Sequence, residues 1–241
     1  MDVYSLFFCT FVFEIEEPML QLCEVFGLDP IQIAQQTSEI LKEETGETED
    51  IYKLLSDEGS SFVSAVRKVE MLKEKSASVE NENLRALIMS EVADMKVVMM
   101  FIAFHVALMR NIKDVENGEL KQKESREAGV LWAQIAHQLG LYKLKSELED
   151  LSLKYLEHEA YYHIKEKLNE TKKSRDQYVA RFIGPIEKKL TEAGLKFHMK
   201  GRTKSIHSIW QKMKKQHVGV DGVYDLFAIR IILDSPRNKE K

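Results

Sequence analysis

Lys204, Ser208 and Lys212 recur at i, i+4 and i+8 near the C-terminal end of this 241-residue sequence. On a helix that spacing lines up two cations and a hydroxyl along one side. The row lies close to the expected helix N-terminus, whose free N–H groups already favour anions. Such an arrangement suits a polyphosphate. Phosphoryl-type transfer is mostly positioning and charge neutralisation, so it calls for fixed cations along the phosphates and a carboxylate on a divalent ion. Asp225 supplies one carboxylate, and Mg2+ is usually held by only one or two from the protein. Ile206, Ile209, Trp210 and Met213, at i, i+3, i+4 and i+7, form an apolar stripe on another side of the same helix. On periodicity alone, the segment also reads as an amphipathic surface helix with solvated lysines, followed by a buried strand.

The whole run from Lys200 to Leu233 is KGRTKSIHSIWQKMKKQHVGVDGVYDLFAIRIIL, and a Gly201–Arg202 turn is expected to open the helix. It closely resembles the opening of the (p)ppGpp synthetase domain of the RelA/SpoT homologue family, in which G-R-x-K-x-x-x-S-x-x-x-K is followed by Y-D-L-x-A-x-R. Gly201, Arg202, Lys204, Ser208 and Lys212 match the first run, and Tyr224, Asp225, Leu226, Ala228 and Arg230 the second. The resemblance implies magnesium-dependent transfer of pyrophosphate from ATP to the 3′-hydroxyl of GTP or GDP, the alarmone synthesis of the bacterial stringent response. It further implies that Arg202 and Arg230 flank the adenine, that Lys204, Ser208 and Lys212 hold the ATP phosphates, and that Asp225 is the catalytic, Mg2+-binding residue. Asp225 and Arg230 are an odd number of residues apart, so an ideal strand would send them to opposite faces. A turn or bulge between them is expected if both serve ATP.

Composition sets the background. With 44% hydrophobic and 31% charged residues, the chain reads as a soluble, helix-rich globular protein of one or two domains. The net charge of −4 argues against a general nucleic-acid binder, although Lys188, Lys189, Lys196, Lys200, Arg202, Lys204, Lys212, Lys214 and Lys215 make a local basic region. Cys9 and Cys23 stand in hydrophobic surroundings without metal-ligand spacing, which favours a reducing cytosol over a disulfide framework or zinc site. The apolar runs Val3 to Phe13 and Val97 to Met109 are too short to span a bilayer. The first lacks the basic flank and cleavage site of a signal peptide. It reads as a buried helix or strand, or as the irregular start of a shortened coding sequence.

Helical patterns dominate the rest. Asp29 and Pro30 read as N-cap and N1 of a helix reaching about Lys42, followed by a polar turn around Gly46. Short helices are expected over Glu49 to Leu55 and Phe62 to Leu72, separated by a Gly59–Ser60–Ser61 break. One long helix from about Asn81 to Ile112 has an almost wholly apolar second half, the mark of a central buried helix. Leu120 to Leu139 reads as a helix ending at Gly140, followed by another from Leu141 to Leu156. A charged helix from about Glu159 to Ala193, bent near Gly184 and Pro185, leads to an alternating strand at Leu195, Phe197 and Met199. The reading is mainly α: a degenerate, all-α HD-hydrolase-like domain over 1–156, a charged helical linker over 157–194, and the truncated beginning of an α+β nucleotidyltransferase-like synthetase domain over 195–241.

Upstream, Ala136, His137, Leu139, Gly140, Leu141 and Tyr142, with Lys145, Glu147, Leu148, Glu149, Asp150 and Leu151, look like the helices that close the family's hydrolase half. The metal-binding residues of that half are another matter. Family members with hydrolase activity use a His-Asp pair, a nearby Glu-Asp pair, an upstream His and a later Asp to bind Mn2+ and activate water. Here Ser38 and Glu39 fall where the His-Asp pair belongs, Lys42 and Glu43 near the Glu-Asp position, and Phe104 at the later Asp; no histidine precedes His105. The resemblance therefore implies no hydrolase metal site, no Mn2+ in the helical half and no cleavage of ppGpp. His105, in an apolar run, reads as a packed, hydrogen-bonded histidine. His158 and His163 are five apart, a poor match to metal-ligand spacing. His198, His207 and His217 lie near the basic row.

The family's synthetase continues through a guanine-stacking tyrosine and a further glutamate, whereas this sequence ends at Lys241 after a polar tail. The expectation is a fragment or degenerate paralogue that carries the ATP side of the site and is inactive alone. ATP and GTP or GDP are the implied substrates, with no membrane partner and no ribosome contact encoded in this segment. Two other readings stay open: a non-catalytic helical module that binds nucleotide or protein, and, more distantly, a nucleic-acid-binding protein.

Overall fold

The computed structural model describes residues 18–45, 59–76, 82–92, 95–114, 118–223 and 226–233. The apolar run 3–13 and the expected helix 49–55 lie outside them. The chain divides into two compact units, Met1–Leu156 and Glu157–Lys241.

The first unit is helical: α1 (Pro18–Val25), α2 (Pro30–Thr45), α3 (Gly59–Lys75), α4 (Glu82–Glu91), α5 (Met95–Asn111), α6 (Gly118–Glu127), α7 (Ala133–Gln138) and α8 (Tyr142–Leu156). Its centre is α5, in which Val97, Val98 and every residue from Phe101 to Met109 are buried. A fully buried side chain of this kind gains about 1.5–3 kcal/mol by leaving water, so a segment apolar on all sides is driven to the middle. Helices α2, α8 and the segment after α6 pack around it. Gly140, with φ of 78°, ends the α7 segment in the left-handed region that glycine enters without Cβ strain.

Several elements differ from the sequence reading. The single helix expected over 81–112 is two, because α4 ends at Glu91 and α5 starts at Met95; Asp94, an N-cap type of residue, directly precedes that start in the sequence. Gly59, Ser60 and Ser61 belong to the first turn of α3 and do not form a break before it. Glycine and serine both suit helix starts, and here they open one. Helix α1 was not foreseen. Between α6 and α7, Ala128–Trp132 forms a π turn, in which the Ala133 N–H donates to the Ala128 carbonyl.

The second unit contains α9 (His158–Glu170), α10 (Lys172–Glu192), β1 (Phe197–Thr203), α11 (Ile206–Gln216) and β2 (Phe227–Leu233). The charged helix breaks at Thr171, while α10 continues through Gly184 and Pro185. Strands β1 and β2 form an antiparallel ribbon. The apolar stripe of α11 does what its period predicts: Ile206, Ile209, Trp210 and Met213 pack with Ile164 and Leu168 of α9, together with Val220, Val223 and Leu226. Helix α9, expected as part of a linker, thus helps build the core beneath the motif.

Candidate functional site

The motif region is a strand, a helix and a returning strand. Gly201 and Arg202 do not form the turn that opens the helix; both lie in β1, paired with Ile229 and Ala228. On β2, Ile229 and Ile231, opposite Gly201 and Met199, are β-branched and favour a continuous ladder. The Lys204 N–H donates to the Leu226 carbonyl at 2.9 Å, extending the pairing beyond Thr203.

The helix starts after Ser205, a cap that the sequence reading missed. Ser205 is extended, with φ −62° and ψ 150°, and its Oγ accepts the Ser208 N–H at 3.3 Å. The Ser205 and Ser208 hydroxyl oxygens are 2.7 Å apart. A serine just before an apolar-periodic run is an N-cap signature, so the signal was present. Half-buried Lys204 adjoins this cap, and half-buried Ser208 and Lys212 follow at one-turn intervals. Lys204 thus precedes the cap and lies outside the helix that the sequence spacing assigned it to, Ser208 is in the first turn of α11, and Lys212 lies past the helix midpoint.

Register decides how the two arginines relate. Lys200 is opposite Arg230 and Arg202 opposite Ala228, so positions 200, 202, 228 and 230 share one face of the ribbon. Position 202 is diagonal to position 230 across the ribbon. Tyr224 and Asp225 lie outside the described residues, and β2 begins at Phe227. The nearby histidines have other neighbours: the His207 ring is 5.7 Å from that of Trp210, and His217 is the left-handed C-cap of α11 with φ 53°. Lys214 lies over the Trp210 ring at 4.2 Å.

In the helical unit, Ser38, Glu39, Lys42 and Glu43 sit on α2. Ser38 is half-buried and the other three are exposed. Glu43 pairs with Lys143 at 2.7 Å, and this lysine holds the carboxyl below its ordinary range. Phe104 is buried, its ring edge-on to His105 at 5.4 Å. A phenyl ring offers no metal-ligand atom.

One polar cluster in this unit was not anticipated. His105 on α5, Glu124 and Glu127 on α6 and Lys73 on α3 converge inside the core. Lys73 Nζ is 2.7 Å from Glu127 Oε1, and Trp132 Nε1 donates to the same oxygen at 2.9 Å. The π turn makes that last bond possible, because wider winding brings residues i and i+5 toward one line. Burial alone would raise the Glu127 carboxyl, but His105 and Lys73 outweigh it and hold the group well below the carboxylate range. Burial and the Glu127 charge push Glu124 the other way, upward. Burial would lower the Lys73 ammonium; Glu127 and Glu70 more than compensate and raise it. In the sequence, only the i, i+3 spacing of Glu124 and Glu127 ahead of a buried run hinted at the cluster.

Comparison with known proteins agrees with the motif-level resemblance. Residues 22–142, half of the chain, match the family described as HD domain, and residues 201–241 match the region found in RelA / SpoT proteins. The GTP pyrophosphokinase of Escherichia coli (strain K12) is 31% identical over 209 residues, 86% of this chain and 27% of that protein. The GTP pyrophosphokinase of Myxococcus xanthus is 32% identical over 76% of this chain and 25% of its own length. A guanosine-3′,5′-bis(diphosphate) 3′-pyrophosphohydrolase of Aquifex aeolicus (strain VF5) is 28% identical over 90% of this chain and 31% of its own length. The chain thus spans about a quarter to a third of the curated relatives it matches. With an HD domain matched across its helical unit and the RelA/SpoT region matched across its β–α–β motif, the chain belongs to the RelA/SpoT family.

Proposed function

We propose that this chain belongs to the guanosine tetraphosphate (ppGpp) pathway as the ATP-binding side of a GTP pyrophosphokinase, joined to an HD unit without hydrolase activity. In this reading residues 1–156 are the degenerate hydrolase-like domain, 157–194 the helical connection and 195–241 the opening of the synthetase domain. The observation that carries it is the ribbon register beside the capped helix. Arg202 and Arg230 share a face of the ribbon, and the Lys204–Ser208–Lys212 row starts where β1 ends.

Each residue then has a physical task. Two guanidinium planes on one face can take an adenine between them by stacking. Lys204 and Lys212 lie along the triphosphate and offset its charge. Ser205 Oγ accepts the Ser208 N–H and can donate its own proton to Ser208 Oγ, which leaves the Ser208 O–H free to donate to a phosphate oxygen. Asp225, just ahead of β2 in the sequence, would hold Mg2+, whose charge would offset that of the phosphates. In the transfer, the 3′-hydroxyl of GTP or GDP loses its proton to solvent as its oxygen bonds to the β-phosphorus, and the bond between the β-phosphorus and the oxygen bridging it to the α-phosphorus breaks, releasing AMP.

The HD unit carries no hydrolase chemistry in this reading, because Ser38, Lys42 and Phe104 stand where ligands would be needed. A cytoplasmic setting fits nucleotide substrates. The 241 residues by themselves bind ATP with Mg2+ weakly and make no ppGpp, since the guanine-stacking and second acidic groups implied by the resemblance are not among them. Incubating the purified chain with labelled ATP and GTP, and separately with labelled ppGpp and Mn2+, should give no product in either case. Labelled ppGpp formed in the first reaction, or pyrophosphate released in the second, would overturn the respective half of the assignment.

A further inference from the structure

His105 is 1% exposed, and its Nδ1 lies 2.7 Å from the Phe101 carbonyl oxygen. An imidazole whose Nδ1–H donates to a backbone carbonyl presents the Nε2 lone pair on its other side, the usual orienting arrangement of a ligating histidine. Nε2 makes no hydrogen bond among the described residues, and its distance of 3.5 Å to Glu127 Oε1 is too long for a well-formed one. Glu124 Oε2, in a side chain 3% exposed, is likewise buried without a hydrogen-bond partner. Ligand atoms from His105, Glu124 and Glu127 all lie within 4.8 Å of one another.

Phe101, Phe104 and Trp132 surround the imidazole, with ring centroids 6.5, 5.4 and 4.9 Å away. In such apolar surroundings an unpaired nitrogen and an unpaired carboxylate oxygen each leave a desolvation cost uncompensated. A divalent cation between them would satisfy both. The cation that pairs with the cluster is the Lys73 ammonium, which reaches Glu127 from a side chain that keeps 15% of its surface exposed. One lysine offsets one of the two carboxylates.

We propose that His105, Glu124 and Glu127 form a closed, structural site for a divalent first-row transition ion, with Lys73 as its tethered competitor. One imidazole and two carboxylates are the ligand types suited to Zn2+ or Mn2+. The site differs from the hydrolase positions on α2 and at Phe104, and its burial leaves no place for a nucleotide. It modifies the sequence expectation that the helical half binds no Mn2+, while leaving the expected lack of hydrolysis intact.

The test uses the full 241-residue chain, stripped with chelator and titrated with Zn2+, Mn2+ and Co2+, the last giving ligand-field absorption. The expected result is one bound ion per chain and a raised melting temperature. Glu124→Gln removes a ligand but no hydrogen bond or ion pair seen in the cluster, so it should fold normally and lose binding at least tenfold. His105→Gln should do the same. Lys73→Met removes the competitor, so it should bind at least tenfold tighter and gain more in melting temperature from the ion than the parent does. Absence of a stoichiometric ion from both parent and Lys73→Met, or binding that survives Glu124→Gln and His105→Gln unchanged, would overturn the proposal.

Discussion

The two units keep different things. In the helical unit the described residues keep a packed scaffold: α5 is buried along most of its length, and the core extends through Ile88, Ile102, Leu131 and Ile135. Yet the resemblance puts Ser38, Lys42 and Phe104 at the positions of the family's hydrolase ligands. In the C-terminal unit the motif matches the family without a gap, on a far smaller set of buried residues: Ile164, Ile209, Val220 and Val223. The contrast teaches that fold and chemistry are separable quantities. Many apolar positions specify a bundle together, whereas a few polar side chains specify a reaction and can change without disturbing it.

The sharpest way to probe this contrast is to remove charge from each setting. Lys73→Met leaves the Glu127 carboxylate buried without its 2.7 Å partner and should destabilise the metal-free helical unit by about 3–5 kcal/mol. Lys143→Met breaks an equally short pair with Glu43, but a fully solvated one, and should leave the denaturation midpoint unchanged within error. Chemical denaturation of both variants makes the comparison. Equal effects would mean that the buried cluster is not a structural element of the core.

A smaller effect is expected at the π turn. A Cβ on Gly129 would clash with Ser152 Oγ and come within 2.9 Å of Ser152 Cβ on α8. Gly129→Ala should therefore cost roughly 1–3 kcal/mol as α8 is pushed outward. A neutral result would show that this packing gives way more easily than that of a native core.

In the C-terminal unit, Ser205→Ala removes the cap of α11 and should cost about 1 kcal/mol. Because the cap also holds Ser208, it should weaken ATP binding, and Ser205→Asp should restore the stability while placing an anion where phosphate is expected. Recovery of both stability and ATP binding in Ser205→Asp would argue against phosphate at this helix end. Least conspicuous is Cys23, whose thiol is pushed up to about 11 by burial, with help from Asp29 and Glu24. In a Cys9→Ser background, native alkylation should stay slow at neutral pH and accelerate only as the pH nears that value. The native thiol holds its proton more tightly than the unfolded one, so this group makes stability fall as pH rises from the ordinary thiol range toward 11.

How much the sequence disclosed follows from what each signal measures. Periodicity found most of the described helices, though not α1, and the docking face of α11, since Ile206, Ile209, Trp210 and Met213 answer to a single period. Boundaries were less legible. Gly201 and Arg202 were read as a turn, but pairing with β2, a tertiary event, draws them into a strand. Gly59 to Ser61 were read as a break although they suit a helix start. The buried cluster was nearly invisible, because Lys73, His105, Glu124 and Glu127 come from three helices and meet only after packing. The paired faces of Arg202 and Arg230 likewise needed the register, which residue counting along one strand does not supply.

The central claim is that nucleotide chemistry belongs to the C-terminal motif and not to the HD unit. Its most direct test is titration of the isotope-labelled 241-residue chain with ATP and Mg2+, followed by backbone amide NMR. Shifts should concentrate between residues 200 and 230, centred on Ser205, Ser208 and Lys212 and lost in Lys204→Ala/Lys212→Ala, with α2 and α5 unmoved. Shifts centred on α2 and α5, or no response at residues 200–230, would contradict it.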